Sequence, residues 1–248
     1  SCQFALAAFL VVTPGCRLTA FIEFPRLSWI ISVGLSAIWI VALINSFNML
    51  DNMDGLSAGV ASIASALLAL VMLISPDPIT QRPQLFVAGF LLVLTGSLLG
   101  FLWHNRPPAR IFMGDAGSYF IGFCIAIATL LATYTSYDSQ APLAILAPLC
   151  VMAVPLYDMT TVIWIRIRSG KSPFHADKNH FSHRLVELGL TKTQAVLTIY
   201  LMTGTCGLGA VLLHRLDLFG AIVVIAMISC VLLLIAILET SARRKLNE

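Results

Sequence analysis

Long uninterrupted apolar runs decide what this chain can fold into. They lie at about 29–45, 56–75, 85–103, 118–135, 143–165, 194–213 and 219–239, with a weaker one at about 3–13. A helix of roughly 20 apolar residues crosses a hydrocarbon core about 30 Å thick. Inside lipid every backbone N–H and C=O must find its partner within the protein, so only helices or a closed barrel can span. Runs of this length read as helices, and the predicted fold is all-α. It is a polytopic membrane protein of about eight transmembrane helices, forming one integral membrane domain over residues 1–248. Hydrophobic residues at 58%, charged residues at 11% and a mean hydropathy of +0.91 exclude an ordinary soluble domain. The net charge of +3 carries no signature of a nucleic-acid binder. Six cysteines, scattered without a CxxC pair, read as small apolar packing residues.

Polar residues are sorted to one side. With alternating spans, the loops at about 46–55, 104–117 and 166–193 share a face with the C-terminal tail. That face carries eleven of the fifteen Lys and Arg residues; the opposite face carries Arg17, Arg26, Arg82 and Arg215. The bias predicts that the first face is cytoplasmic, and Trp103 and Trp164 fall near span ends on it, where indole rings favour the headgroup region. Asp51, Asp54, Asp115, Asp177 and Glu187 gather there too, with His104, His175, His180 and His183. Three loops far apart in sequence thus bring the polar chemistry to one surface.

The first loop reads "NSFNMLDNMDGLSAG", Asn45 to Gly59. Asn45, Asn48, Asp51 and Asp54 recur every third residue, which on a helix would spread them over half its circumference at a span's inner end. Carboxylates and carboxamides at membrane depth are expensive, and a helix cap needs only one such residue. The second reads "HNRPPARIFMGDAGS", His104 to Ser118: two prolines stop one span, and Asp115 stands at the start of the next. Asp115 is either a plain N-cap or, beside asparagine, arginine and a helix N-terminus, a ligand for a hard cation whose other ligands are phosphate oxygens. Phe112 offers a face on which a planar base can stack. The third, "HADKNHFSHRL", places His180 and His183 at helical i, i+3 spacing beside Arg184. With no cysteine nearby the pair suits phosphate better than zinc, with Arg184 as a fork and histidine as a tunable donor. Together the three loops point to phosphoryl-group chemistry on a nucleotide-linked substrate, with a lipid as acceptor.

"NSFNMLDNMDGLSAG", "NRPPARIFMGDAGS" and "DKNHFSHRL", in this order and on one side, resemble the polyprenyl-phosphate N-acetylhexosamine-1-phosphate transferases. These bacterial enzymes start O-antigen, enterobacterial common antigen, teichoic acid and peptidoglycan lipid intermediates. The resemblance covers nearly the whole chain. It implies transfer of a sugar 1-phosphate, N-acetylglucosamine 1-phosphate foremost, from a UDP-N-acetylhexosamine to undecaprenyl phosphate, with release of UMP. The cofactor it implies is Mg²⁺, with Mn²⁺ as an alternative. The implied location is the bacterial inner membrane, with the active site facing the cytoplasm; a homodimer is compatible with it. Carried over, Asp115 resembles the metal ligand, and Asp51 and Asp54 the acidic pair near the nucleotide. Asn45 and Asn48 belong to the same motif. Asn105 and Phe112 match positions that contact and stack on uracil, and His180, His183 and Arg184 match the histidine motif that engages the pyrophosphate.

This chain departs from that pattern in two ways. Where the related branch often has His-x-His-His, it has His180, Phe181, Ser182, His183, so a hydroxyl stands in place of one imidazole. The family also carries an Asp-Asp pair just before the segment that "CQFALAA" resembles, and this sequence begins at Ser1. A truncated N-terminus is therefore expected. Two rivals follow from other features. Tyr157-Asp158 and Gly114-Asp115 resemble the dipeptides of intramembrane aspartyl proteases but in reversed order. A transporter for a phosphorylated or nucleotide-linked solute would place polar groups near the midplane within inverted repeats, and no repeat is evident. Residues 1–248 alone are expected to be inactive: with purified UDP-N-acetylglucosamine and undecaprenyl phosphate, no UMP should form, and detectable transfer contradicts the expectation.

Overall fold

The computed structural model describes residues 25–75, 82–132, 141, 143–172 and 179–247, together with Gln3 and Ala7; for 25–29 and 241–247 the backbone alone is described. The described residues form helices without a single strand. In chain order these are α1 (Pro25–Leu50), α2 (Leu56–Ile74), α3 (Leu85–Asn105), α4 (Gly114–Leu131), α5 (Ala147–Val151), α6 (Ala153–Arg168), α7 (Phe181–Glu187), α8 (Lys192–Leu212) and α9 (Leu218–Asn247). Six are long and apolar enough to cross a membrane, and α5 and α6 together make a seventh span bent by 61°. Seven of the eight expected spans are thus present. The eighth, at about 3–13, lies outside the described residues apart from Gln3 and Ala7.

The bend has a local cause. Pro155 lacks the N–H that would bond the carbonyl of Val151, and Met152 instead closes a turn onto the Pro148 carbonyl at 2.9 Å. Pro155 stands inside the apolar run, but hydropathy alone reads 143–165 as one span. The first span also runs further than its apolar stretch, to Leu50, and the fourth begins earlier, at Gly114. Asn45 and Asn48 therefore ride on α1, whereas Asp51 and Asp54 sit in the turns of 51–55 rather than on a continuing helix. Asp115 falls in the first turn of α4.

Helix α2 is the centre of the bundle: two-thirds of its apolar window (67%) is buried inside the protein, against 11% for α9. Its small residues explain this. Lipid gives no hydrophobic drive for helices to associate, so close packing over Gly, Ala and Ser does that work. At Gly59 an added Cβ would fall 2.0 Å from the ring of Tyr200 on α8. Helices α1 and α4 meet as closely: at Gly122 a Cβ would lie 2.6 Å from the Leu43 carbonyl oxygen and 2.7 Å from Ile44 Cα. This crossing positions the inner ends of both helices, Asn48 on one and Asp115 on the other. Trp103 and Trp164 are exposed at the ends of α3 and α6, each under an arginine, with Arg106 at 4.3 Å and Arg168 at 4.8 Å from the ring centres. Large exposed apolar residues such as Phe86, Val93 and Leu201 cover the outer faces, as lipid contact requires.

Because the obstacle at Gly122 is backbone, it cannot swing aside. Gly122→Ala should cost about 1–3 kcal/mol through overpacking, read as a lower thermal midpoint in detergent. Gly96→Ala, at a site with nothing within 4 Å, should cost little. Equal midpoints for the two variants would contradict the close α1–α4 crossing.

Candidate active site

The site begins where α1 ends and α4 starts. Asn48, in the last turn of α1, donates from Nδ2 to Asp115 Oδ1 at 2.9 Å and to Ser118 Oγ at 3.2 Å. Ser118 in turn donates back to the Gly114 and Asp115 carbonyls of its own helix. Asp51, one turn beyond Asn48, accepts the backbone N–H of Gly114, whose φ of +64° is open to glycine at low cost. Two carboxylates therefore face the N-terminus of one helix. Burial pushes the Asp51 carboxyl up to about 6; the Gly114 N–H pulls it down, and the neighbouring Asp115 charge pushes it up again. Asp115 itself is exposed. Asn45, a turn further into the membrane, donates to Gln3 Oε1 at 3.0 Å and to the Val41 carbonyl at 2.7 Å.

The rest of the first two loops forms a latch. Asn105, buried at the end of α3, accepts from Gly55 N at 3.0 Å and donates to the Ile111 carbonyl at 2.8 Å. Asp54 accepts Ala109 N at 3.1 Å. Gly55, at φ +76°, also presents its carbonyl to the Tyr200 hydroxyl. Both ends of the Asn105 amide are thus spent holding loop 106–113 against loop 51–55. Phe112 projects from that loop 77% exposed, a bare aromatic face beside the carboxylates' helix.

The third motif folds as α7, and distant residues tie it at three points. At its start, Asp158 on α6, fully buried, meets His180 Nδ1 at 3.1 Å and accepts the Phe181 backbone N–H. From its second residue, Ser182 donates to Asn52 Oδ1 in the first loop, beside Asp51. Next, Arg184 Nε lies 3.1 Å from Glu239 Oε2 of α9, while its terminal nitrogens donate to the Asn179 carbonyl at 2.6 Å and to Thr161 Oγ1 at 2.9 Å. The Arg184 fork, expected to face phosphate, is 3% exposed and engaged inside the bundle. His180 caps α7 and His183 lies within it, ring centres 6.4 Å apart. His175, Asp177 and Lys178 lie outside the described residues.

All ten expected site residues therefore sit at one end of the bundle, in two neighbouring groups joined by the Asn52–Ser182 bond. Sequence reasoning undervalued Asn52, Asp158 and Glu239. The last two carried a signal, being acids within or at the edge of apolar runs. Asp158 is occupied by His180 and the Phe181 N–H at the start of α7, which removes the ground for an aspartyl-protease dyad. Among the described residues no cluster of three or more His, Cys, Asp or Glu side chains could hold a metal ion. Asp51 and Asp115 nevertheless fit half of a magnesium site, because Mg²⁺ is commonly held by one or two carboxylates with water and phosphate completing its shell.

Similarity to known proteins supplies the family. The chain matches the model of glycosyl transferase family 4 over residues 1–133 and belongs to that family. It is 33% identical over 224 residues to a probable undecaprenyl-phosphate N-acetylglucosaminyl 1-phosphate transferase of Bacillus subtilis (strain 168), covering 88% of this chain and 59% of the relative. A decaprenyl-phosphate N-acetylglucosaminephosphotransferase of Mycobacterium leprae (strain TN) is 35% identical over 191 residues, 72% of this chain and 47% of the relative. The undecaprenyl-phosphate alpha-N-acetylglucosaminyl 1-phosphate transferase of Escherichia coli (strain K12) is 32% identical over 171 residues, covering 67% and 43%. The chain thus spans about half the length of these relatives.

The raised Asp51 carboxyl gives a prediction with a definite sign. Its folded pKa, about 6, exceeds the ordinary 3.8, so ionising it opposes folding fully above pH 6 and not at all below pH 3.8. Without divalent metal, Asp51→Asn should raise the thermal midpoint at pH 7.5, and the gain should vanish near pH 3.5. A lower midpoint at pH 7.5 would contradict the strained carboxylate.

Proposed function

We propose that the natural protein transfers N-acetylglucosamine 1-phosphate from UDP-N-acetylglucosamine to undecaprenyl phosphate, releasing UMP. It would work on the cytoplasmic face of a bacterial inner membrane, at the first membrane step of envelope polysaccharide synthesis. The observation that carries this is the Asp51–Asp115 pair at the start of α4, held by Asn48 and Gly114 N on the face where the histidine helix docks. Membership of glycosyl transferase family 4 and the activities for which the three relatives are named support it. Nothing among them supports the transport alternative.

The chemistry follows from where charge sits. A phosphate oxygen of the lipid attacks the β-phosphorus of the UDP-sugar; the bond from that phosphorus to the oxygen bridging the α-phosphorus breaks, and the electron pair leaves with UMP. Positioning and electrostatics carry such reactions. Mg²⁺, or Mn²⁺, held by Asp115 and Asp51, would offset charge on the pyrophosphate oxygens and relieve the repulsion between these carboxylates. Asn48 fixes the Asp115 carboxylate, leaving its second oxygen available. Phe112 offers its exposed face to the uracil ring, and the Asn105 latch sets that loop's height above Asp54. His180, held at Nδ1 by Asp158, would with His183 supply donors for charge on the departing UMP. Arg184 acts behind them, fixing the helix.

The test is UMP release by the natural protein in membranes supplied with UDP-N-acetylglucosamine and undecaprenyl phosphate. Release should require both lipid and Mg²⁺, cease with chelator, and fall about a hundred- to a thousandfold in Asp115→Asn, as loss of one group that stabilises transition-state charge commonly does. Undiminished release by that variant, or none with any UDP-N-acetylhexosamine, would overturn the reading.

A further inference from the structure

Helix α9 presents an oddity. Among its described side chains only Ala221 and Glu239 are buried; Val224, Ile225, Ile228, Leu232 and Ile235 pack half-buried against the core, and most of the others are exposed. A helix needed only to span would carry an apolar residue at 239, because a carboxylate at the edge of an apolar run is costly to desolvate. Glu239 instead turns inward, 7% exposed, and meets α7 and α6 together. Its Oε2 lies 3.1 Å from Arg184 Nε and accepts the Tyr157 hydroxyl at 3.1 Å. The residue lies beyond the 133 positions that the family model matches.

We propose that Glu239, on the last span, is a positioning residue for the histidine pair: it fixes Arg184, and through Arg184 the placement of His180 and His183 on α7. The proposal rests on the function proposed above for its catalytic meaning. Seven residues cannot hold a helix by their own hydrogen bonds, so α7 keeps its shape only through outside contacts. Asp158 secures its first residues and Asn52 its second turn position, leaving Arg184 to secure the part after His183. Arg184 reaches the Asn179 carbonyl and Thr161, which are neutral acceptors; Glu239 gives it a carboxylate. A buried guanidinium robbed of that carboxylate keeps its charge, since arginine does not deprotonate, and must seek water by moving. Moving it carries His183, its neighbour in the chain, out of register with the carboxylates. The last span thereby becomes part of the active site's frame.

The experiment is hydrogen–deuterium exchange on the natural protein in membranes, comparing wild type with Glu239→Gln, Glu239→Asp and Tyr157→Phe, followed by turnover. Glu239→Gln keeps the shape and removes the charge. Exchange over 179–187 should quicken about tenfold while 56–74 and 114–131 stay as in wild type. KM for the UDP-sugar should rise at least threefold, and Glu239→Asp should recover part of both effects. Should Glu239→Gln fail to fold, Tyr157→Phe, which removes the other partner of the same oxygen, should quicken 179–187 in the same direction. Unchanged exchange over 179–187 in the folded variants, or loosening spread equally over all helices, would overturn the proposal. A wild type without transfer activity would sink the functional reading and leave the exchange pattern to decide this one.

Discussion

Two carboxylates that repel each other are the constraint around which the polar face is built. Asp51 and Asp115 reach the start of α4 from different loops, and each is restrained: Asp51 by the Gly114 N–H, Asp115 by the Asn48 amide. Charge-assisted bonds of this kind contribute roughly 1.5–3 kcal/mol when sheltered and less when exposed, so they hold the geometry without erasing the repulsion. The cost is met by the close crossing of α1 and α4 at Gly122, which fixes both helix ends whatever the charges prefer. A rigid scaffold thus maintains a local electrostatic conflict that a divalent cation would relieve.

The histidine helix answers a different problem, that of giving a seven-residue segment one position. Its anchors come from three directions: Asp158 on α6, Asn52 in the first loop and Glu239 on α9. Removing one partner of a buried charged pair costs about 3–5 kcal/mol, so the Glu239–Arg184 anchor is hard to lose. Ser182 is instructive here. Its buried hydroxyl donates to Asn52, so the position serves docking. The bend between α5 and α6 contributes as well, because it sets the course of the helix that carries Asp158 and Tyr157.

Much of this was legible in the sequence. Apolar runs give the spans directly, since the bilayer permits little else, and the sorting of charge gives the face. Asp51, Asp115, Asn48 and Phe112 could be singled out because polar groups are conspicuous at span ends. What stayed hidden were partners. The duties of Asn105 and Arg184 depend on Gly55, Ile111, Thr161 and Glu239, brought near by packing of α2, α6 and α9 rather than by spacing in the chain. The Pro155 bend was missed for another reason: hydropathy alone gives no weight to a proline within an apolar run. Asp158 and Glu239 announced only that they must be paired, and the fold supplied with what.

The central claim is that Asp51 and Asp115 form one cation-binding unit rather than two separate loop acids. Electron paramagnetic resonance of Mn²⁺ titrated into the natural protein in membranes tests it most directly. The account predicts one tight site in the wild type, weakened at least about tenfold in Asp51→Asn and in Asp115→Asn alike, with no further loss in the double variant. Binding that survives either single substitution unchanged would contradict the account.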